Sequence, residues 1–426
     1  MLCWHARRPR ASVHDTTGGI SYNDGMRRGT SFARRVPRVS PRHLVACSLA
    51  VALAAGPALA HHRQMPPVAA LTTSGDTALP RVPPPGQSTM TLAIDEAGDT
   101  SIVTIRPFAG PSARKVVASS GDNANPALST TGRGVVWDTD ADPLGLSLPG
   151  RQVVASVQGV LSSVSDDPTG TSGNPAIDRT GLTVVFESTG DLAGTGNSGA
   201  RQIFVRDRFG TMRQLSSGVG ASRNPVITAR GDYVAFESTS DPLTGADTGV
   251  EQVWLGSLQS GVAPLTAGAG PSRNASISND ARLVAFESEA DLGGSGADTG
   301  VPQIFVYDIK TANFARVTSD TAGCTLPAIA KHQRDWRVAF VCAGKPYFYM
   351  LRADQRLAIQ ADGGTTSRVI PELGSYFLAL STTANLLGSG ATPGKQVYLI
   401  NIYKRPPVPV AGSPAVWFPF RGIPEL

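Results

Sequence analysis

The sequence predicts an all-β fold built from repeated four-stranded units, and three observations carry that prediction. The phrase Val234-Ala235-Phe236-Glu237-Ser238 returns fifty residues later as Val284-Ala285-Phe286-Glu287-Ser288, and a near-copy, Val184-Val185-Phe186-Glu187-Ser188, stands fifty residues earlier. A period in this range means one supersecondary unit used repeatedly. A second marker, a Gln just ahead of an apolar run, keeps the same register at Gln152, Gln202, Gln252, Gln303 and Gln396. Composition agrees: the 426 residues include 46 Gly and 32 Pro, with 17% charged and 41% apolar residues, which describes a turn-rich chain that still buries a core.

The N-terminus reads as an export signal. Residues 27–42 are rich in Arg, an apolar run covers 44–55, and Gly56-Pro57-Ala58-Leu59-Ala60 follows. A charged stretch, a short apolar stretch and an Ala-x-Ala site predict a secretory signal over 1–60, cut near Ala60. The run is too short to span a bilayer, so no transmembrane segment is expected. Met26 as the true start would give a signal of ordinary length. Two rival addresses stay open: a lipidation site at Cys47, whose Cys precedes most of the apolar run, and twin-Arg export at Arg34-Arg35, whose following residues lack the expected apolar pair. Residues 61–88 are Pro-rich without periodicity and read as an extended linker, with the folded domain over 89–426.

Charge excludes one function class. The net charge is +5, but residues 1–60 hold nine Arg and two Asp, leaving 29 basic against 31 acidic residues beyond them. The basic footprint of a nucleic-acid binder is thus missing from the folded part.

Each unit parses into four strands. In one copy these are 224–228, 233–238, 252–256 and 262–266, with a loop rich in Gly, Asp and Thr between the second and third. The anchor in the second strand recurs as Trp137, Phe186, Phe236, Phe286, Phe340 and Leu380. Four antiparallel strands at this spacing are the mark of a β-propeller blade, in which sheets stack around an axis. The anchor then fills the gap between neighbouring blades. Residues 90–95, 101–106 and 114–121 resemble the second, third and fourth strands of a unit lacking its first, which the segment Ala415–Phe420 is positioned to supply. Seven blades are expected, one split between the chain ends, with six as the alternative.

The pattern N-P-x-I-x-x-x-G-x-x-V-x-F-E-S, at 174–188 and 224–238, resembles the TolB-type propeller repeat, a WD-repeat-like blade of bacterial envelope proteins. The resemblance covers roughly residues 120–405. The chain is not expected to be TolB itself, since the α/β domain that precedes that propeller has no room in 61–88. The resemblance implies a periplasmic or secreted propeller that binds other proteins or small ligands.

Cys324 falls just before the first strand of the fifth unit and Cys342 just after the VAF of its second, and a hairpin turning near Gln333 sets them opposite one another; a disulfide fits an exported chain, with two buried thiols as the alternative. Beyond Ala60 the only histidines are His61, His62 and His332, too few and too scattered for a Ser-His-Asp triad, a Cys-His dyad or a multi-His zinc site. The nearest approach to a Gly-x-Ser-x-Gly elbow, 293–297, ends in Ala297.

Polar residues recur where the first strand begins and the second ends. Asp138, Glu187, Glu237 and Glu287 follow the anchor, and Asp142, Asp191, Asp241, Asp291 and Asn385 come a few residues later. Ser222-Arg223-Asn224 and Ser272-Arg273-Asn274 open first strands, and Ser367-Arg368 echoes them. These groups gather at one rim with the long loops, and loops on a rigid scaffold carry binding. Arg223, Asn224, Glu237, Arg273, Asn274 and Glu287 are the candidate partner-binding residues, with hydrogen bonding to the fold itself as their alternative duty. Asp241 with Asp247, and Asp291 with Asp298, place two carboxylates in one tight loop, a candidate calcium set that Asx-turns explain equally well. No other cofactor is expected. The reading is an exported, non-catalytic, monomeric propeller that binds an envelope protein or a polysaccharide through its long-loop rim. The alternatives are a glycoside hydrolase or lyase using axial carboxylates, and a calcium-stabilised ligand-binding propeller.

Overall fold

The computed structural model describes the strands within 68–118, residues 120–292 apart from 130 and 198, residues 300–359 apart from 333 and 334, and residues 364–371, 377–384, 386, 396–401 and 408–409. The export signal and residues 415–420 lie outside the described residues. Every regular element described is a β-strand, and among the described residues no helix is long and apolar enough to cross a membrane.

The strands pair into seven antiparallel sheets that follow one another along the chain. Sheet 1 holds Thr77–Arg81, Met90–Glu96, Asp99–Ile105 and Arg114–Ala118. Sheet 2 runs from Asn123–Leu128 to Val160–Ser163, sheet 3 from Ser172–Ile177 to Met212–Gln214, sheet 4 from Ser222–Ile227 to Gly261–Pro264, and sheet 5 from Ser272–Ile277 to Asn313–Arg316. Sheet 6 runs from Cys324–His332 to Gln355–Ala358 and gains a fifth strand, Val408–Pro409, on its outer edge. Sheet 7 joins Thr366–Pro371, Phe377–Thr382 and Gln396–Asn401 to Val68–Ala70, the first described strand of the chain. The first strand of every sheet touches the first strands of both neighbours, sheet 7 closing on sheet 1, so these strands line a common axis.

Two expectations need correction. The first strand of the N-terminal sheet is Thr77–Arg81, paired with Met90–Glu96, and not the C-terminal segment 415–420. The sheet shared between the chain ends is the last one, whose outer strand pairs Val68 with Ile400. Both N-terminal strands lie in the stretch read as a linker, 61–88. Their signal is weak for a physical reason: one has three residues, and the other carries Pro80 inside a register shift between Ala78 and Arg81, where a missing N–H costs no ladder bond.

The repeat markers each do a definable job. The second strands are buried along their length, at all positions in Val184–Ser188 and Leu283–Ser288, because both faces of a sheet are covered. The six anchors are 0–1% exposed, and each packs onto the preceding sheet. Phe186 meets Val136, Val153 and Ala155 of sheet 2; Phe236 meets Val185, Ile203 and Val205 of sheet 3; Phe340 meets Ala285, Ile304 and Val306 of sheet 5. The marker Gln is a clamp. Gln202 accepts the Ser216 hydroxyl at 2.7 Å and donates to the Gly218 and Gly220 carbonyls at 2.9 and 3.1 Å, fixing the turn into the next sheet. Gln252 does the same with Thr266, Gly268 and Gly270.

The Ser closing each AFES phrase pairs with the hydroxyl opposite it, Ser222 with Ser238 at 3.0 Å and Ser272 with Ser288 at 2.9 Å, whereas in sheet 3 Ser172 and Ser188 both donate to Asp167. In sheet 6 this position holds Cys324 and Cys342, joined as a disulfide. The covalent bridge therefore replaces a hydroxyl pair used elsewhere in the ring.

Two outcomes follow for denaturant unfolding. Phe236→Ala should lose about 3–5 kcal/mol through the cavity left against sheet 3. Closing an 18-residue separation is worth about 3 kcal/mol, and a hydroxyl pair restores about 1 kcal/mol. The double variant C324S/C342S should then fold with a loss of about 2 kcal/mol and exceed the double Ala variant by about 1 kcal/mol.

Candidate functional site: the carboxylates of the long-loop rim

Each first strand of sheets 2 to 5 carries a β-bulge close to its start. In sheet 3, Asn174 and Pro175 stand opposite the single Phe186, as the register shift between Gly173 and Ala176 shows. The bulged Asn has positive φ in every copy: Asn125 at 46°, Asn174 at 49°, Asn224 at 51° and Asn274 at 54°. Asn tolerates this region better than other residues with a Cβ, and Pro sits at the bulge because no ladder bond is required there.

The bulge turns two donors toward buried carboxylates. Within a sheet, the Asn side chain donates to the second-strand acid: Asn125 to Asp138 at 2.8 Å, Asn174 to Glu187 at 2.7 Å and Asn224 to Glu237 at 2.6 Å. Between sheets, the bulge N–H donates to the acid of the preceding sheet: Asn174 to Asp138 at 2.8 Å, Asn224 to Glu187 at 3.3 Å, Asn274 to Glu237 at 2.5 Å and Leu326 to Glu287 at 2.8 Å. Each carboxylate thus stitches its own sheet to the next one round the axis. The Asn174 amide also reaches the Asn224 side-chain oxygen at 2.7 Å, so these amides form an arc at the axial mouth.

Charge compensation varies round the arc. Asp138 receives Arg151, Glu187 receives Arg201 at 2.8 Å, and Glu287 receives Arg273 at 3.1 Å. Glu237, 1% exposed, makes no ion pair among the described residues. Burial pushes its carboxyl from an ordinary 4.5 up to about 7, and the nearby Glu251 charge adds to the rise against the hydrogen bonds from Asn224 and Asn274. Burial also raises Glu287, opposed by the Leu326 N–H, Asn274 and Arg273.

The candidate residues therefore divide. Asn224, Glu237, Asn274 and Glu287 belong to the stitches, and Arg273 holds Glu287 and Glu289 together. Arg223 is exposed, and its side chain forms no hydrogen bond or ion pair among the described residues. The Asp residues of the long loops accept backbone N–H groups of their own loops: Asp142 from Leu146 and Ser147, Asp191 from Thr195 and Gly196, Asp241 from Leu243 at 2.8 Å, and Asp247 from Gly249 at 3.0 Å. These bonds hold the carboxyls of Asp142, Asp191 and Asp241 below their ordinary value, led by the N–H of Ser147, Gly196 and Leu243 respectively. Asp298 and Asn385 lie outside the described residues. Arg151 and Arg201 were not among the candidates, although their place directly before the marker Gln was visible.

Between the long loops of sheets 3 and 4 the same rim opens into a groove of about 500 Å³, lined by Thr195, Asn197, Gln214, Ser217, Val219 and Pro242. Val219 is 68% exposed on it, and Leu243, next to Pro242, is 64% exposed. Val219 has no recurring counterpart, whereas Leu243 repeats, one residue later, Leu192 and Leu292, which pack against cores, so its exposure is not readable from the pattern.

The ring of sheets and its axial strands define a β-propeller. No protein-family model and no curated protein matches the chain. Solved propellers do. An oligogalacturonate lyase from Vibrio parahaemolyticus superposes with a TM-score of 0.56 at 10% identity, covering 79% of this chain and 93% of its own. The β-propeller domain of the Trilobed protease from Pyrococcus furiosus, described as having an open velcro topology, gives 0.53 at 8% identity over 77% and 95%. TolB from Acinetobacter baumannii gives 0.38 at 15% identity over 70% and 66%. The similarity of the first two is one of fold, and the third adds no weight to it.

The raised Glu237 makes stability depend on pH with a definite sign. Its proton is held more tightly in the folded than in the unfolded chain, so its contribution is complete below pH 4.5 and is lost as pH rises through about 7. Across that window the wild type should lose on the order of 3 kcal/mol more than Glu237→Gln in denaturant titrations. Glu287 acts in the same direction in both proteins.

Proposed function

We propose that the chain is a non-catalytic binding propeller, exported to the cell envelope, that docks a protein or polysaccharide on its long-loop rim. The groove between sheets 3 and 4 carries this reading, because Val219 exposes apolar surface in its lining and Leu243 does so next to its lining residue Pro242. The recurrent carboxylates of the same rim are occupied in joining sheets, a duty that favours a scaffold over a catalyst. The Cys324–Cys342 disulfide supports an oxidising compartment. Crosslinking in envelope extract should yield an adduct that Val219→Asp and Leu243→Asp each reduce at least about tenfold, the scale of a central interface contact, without altering thermal unfolding. An adduct indifferent to both changes defeats the reading.

A second reading rests on Glu237. A buried carboxyl titrating near 7 suits a general acid, and would make the chain a carbohydrate-active hydrolase or lyase. Turnover of oligogalacturonate that vanishes in Glu237→Gln would favour it, and absence of turnover across a glycan panel would remove it. Calcium is a separate question with a simple measurement. With Asp142, Asp191, Asp241 and Asp247 bonded to their own backbones, unfolding temperatures in chelator and in calcium chloride should coincide.

A further inference from the structure

We propose that the face opposite the long-loop rim rests on an anionic lipid surface. Val160, Leu182 and Phe209, on the short turns of sheets 2 and 3, enter the acyl boundary, and arginines on the short turns of sheets 2, 3 and 4 meet the headgroups. The inference goes beyond the docking reading, which concerns the other face.

Topology sets the placement. In an antiparallel sheet of four consecutive strands, the turns joining strands one to two and three to four leave on one side, and the connection from two to three leaves on the other. Sheets 2, 3 and 4 all have this order. Their short turns also hold one another at a common level. The Thr131 hydroxyl donates to the Arg179 carbonyl at 3.2 Å, and the Arg179 N–H donates to the Ala229 carbonyl at 2.9 Å. Arg206, three residues before Phe209, crosses the seam to the Ser163 carbonyl, at the end of the strand that Val160 opens.

Exposed apolar side chains concentrate on this face. Of seven large ones exposed among the described residues, Leu146, Val219 and Leu243 belong to the long-loop side. The other four are Val160 at 70%, Leu161 at 39%, Leu182 at 51% and Phe209 at 77%, all on sheets 2 and 3. Two of them replace polar residues of the sister turns. Leu182 stands two before Val184, where the other sheets carry Arg133, Asp232 and Arg282. Phe209 stands seven after the marker Gln202, where sheets 4 and 5 carry Gln259 and Lys310. Neither change adds to the core, because both side chains are exposed.

Charge names the occupant. Arg133, Arg179, Arg208 and Arg230 are exposed on the same turns, and their side chains make no hydrogen bond or ion pair among the described residues. Arg208 lies over the Phe209 ring at 4.6 Å, so a cation accompanies the most exposed apolar tip. The acids of these turns face their own backbones. Asp178 accepts the N–H groups of Gly181 and Leu182, Asp207 those of Phe209 and Thr211, and Asp232 the Thr228 hydroxyl. Anionic headgroups above hydrocarbon satisfy both halves of this pattern. An acidic polysaccharide would meet the arginines and leave the apolar tips in water. The tips stand on separate turns as knobs, and a bilayer yields to knobs where a folded partner needs a matching shape.

Co-sedimentation of the full chain with vesicles of phosphatidylglycerol and phosphatidylcholine, against phosphatidylcholine alone, tests the assignment. Variants and parent share residues 1–60, so any contribution of that stretch cancels in their ratio. Arg179→Glu with Arg208→Glu should lower partitioning onto the anionic vesicles at least about twentyfold, since one arginine near such a surface is worth about fivefold. Phe209→Ser should lower it about tenfold, the scale of one ring withdrawn from hydrocarbon. These positions are exposed, so unfolding temperatures should match the parent. In Phe209→Trp the added fluorescence should shift to the blue on anionic vesicles and be quenched by brominated acyl chains. Partitioning indifferent to both sets of changes, or an introduced indole that stays unquenched, overturns the inference. Dextran sulfate bound as tightly as the vesicles and unaffected by Phe209→Ser overturns it in favour of a polysaccharide. A dimer in sedimentation velocity that Phe209→Ser dissociates, without vesicle binding, overturns it in favour of a second copy of the chain.

Discussion

A sheet buried on both faces is not stable by itself, and everything else in this molecule answers that condition. The second strands expose almost nothing, so each sheet must be roofed by a neighbour on either side. The anchors solve half of the problem by packing backward onto the preceding sheet. The carboxylates solve the other half by reaching forward to the next sheet's bulge. Apolar packing alone is tolerant of sliding, whereas a buried acid that accepts a particular N–H fixes both spacing and rotation. The bulge is what makes this exchange possible, since it frees a backbone donor from its own ladder and aims it sideways.

Burying an acid at every seam carries a desolvation cost that the ring offsets in different ways. Where an arginine is at hand, as at Asp138 and Glu187, the charge is retained and shared. At Glu237 there is no such partner among the described residues, and the carboxyl responds by holding its proton to about 7. The repeat is therefore symmetric in geometry and asymmetric in electrostatics. That asymmetry belongs to sheet 4, which also contributes Pro242 to the groove.

Much of this was legible in the sequence because it repeats. Phe186, Phe236 and Phe286 announced the sheets, and Gln202 and Gln252 announced the strand that follows each long loop. The cysteines were placed correctly because a hairpin leaves few ways to face them. The chain ends were misassigned, since Thr77–Arg81 contains a proline and Val68–Ala70 is too short to show alternation. At the site, the acids and asparagines were visible as a recurring set, yet their division into structural and free members was not. That division depends on which donor each oxygen meets: Arg273 is captured by Glu289, while Arg223, its counterpart in the repeat, meets Thr239. A linear pattern treats the two as equals. The groove was invisible for a related reason: Val219 departs from the repeat, and Leu243 keeps the repeat's residue but not the burial of Leu192 and Leu292.

The pairing of Val68 with Ile400 governs how the molecule is born. A chain is synthesised N-terminus first, so its earliest strand stays without a partner until nearly the whole length has emerged. Loop-closure entropy rises only slowly with length, which keeps this late handshake thermodynamically affordable. Kinetically it is the most distant strand pairing among the described residues and belongs among the last to form. Until then six sheets can stack as an open arc with bare flanks, an adhesive intermediate that any cell making this protein has to shelter.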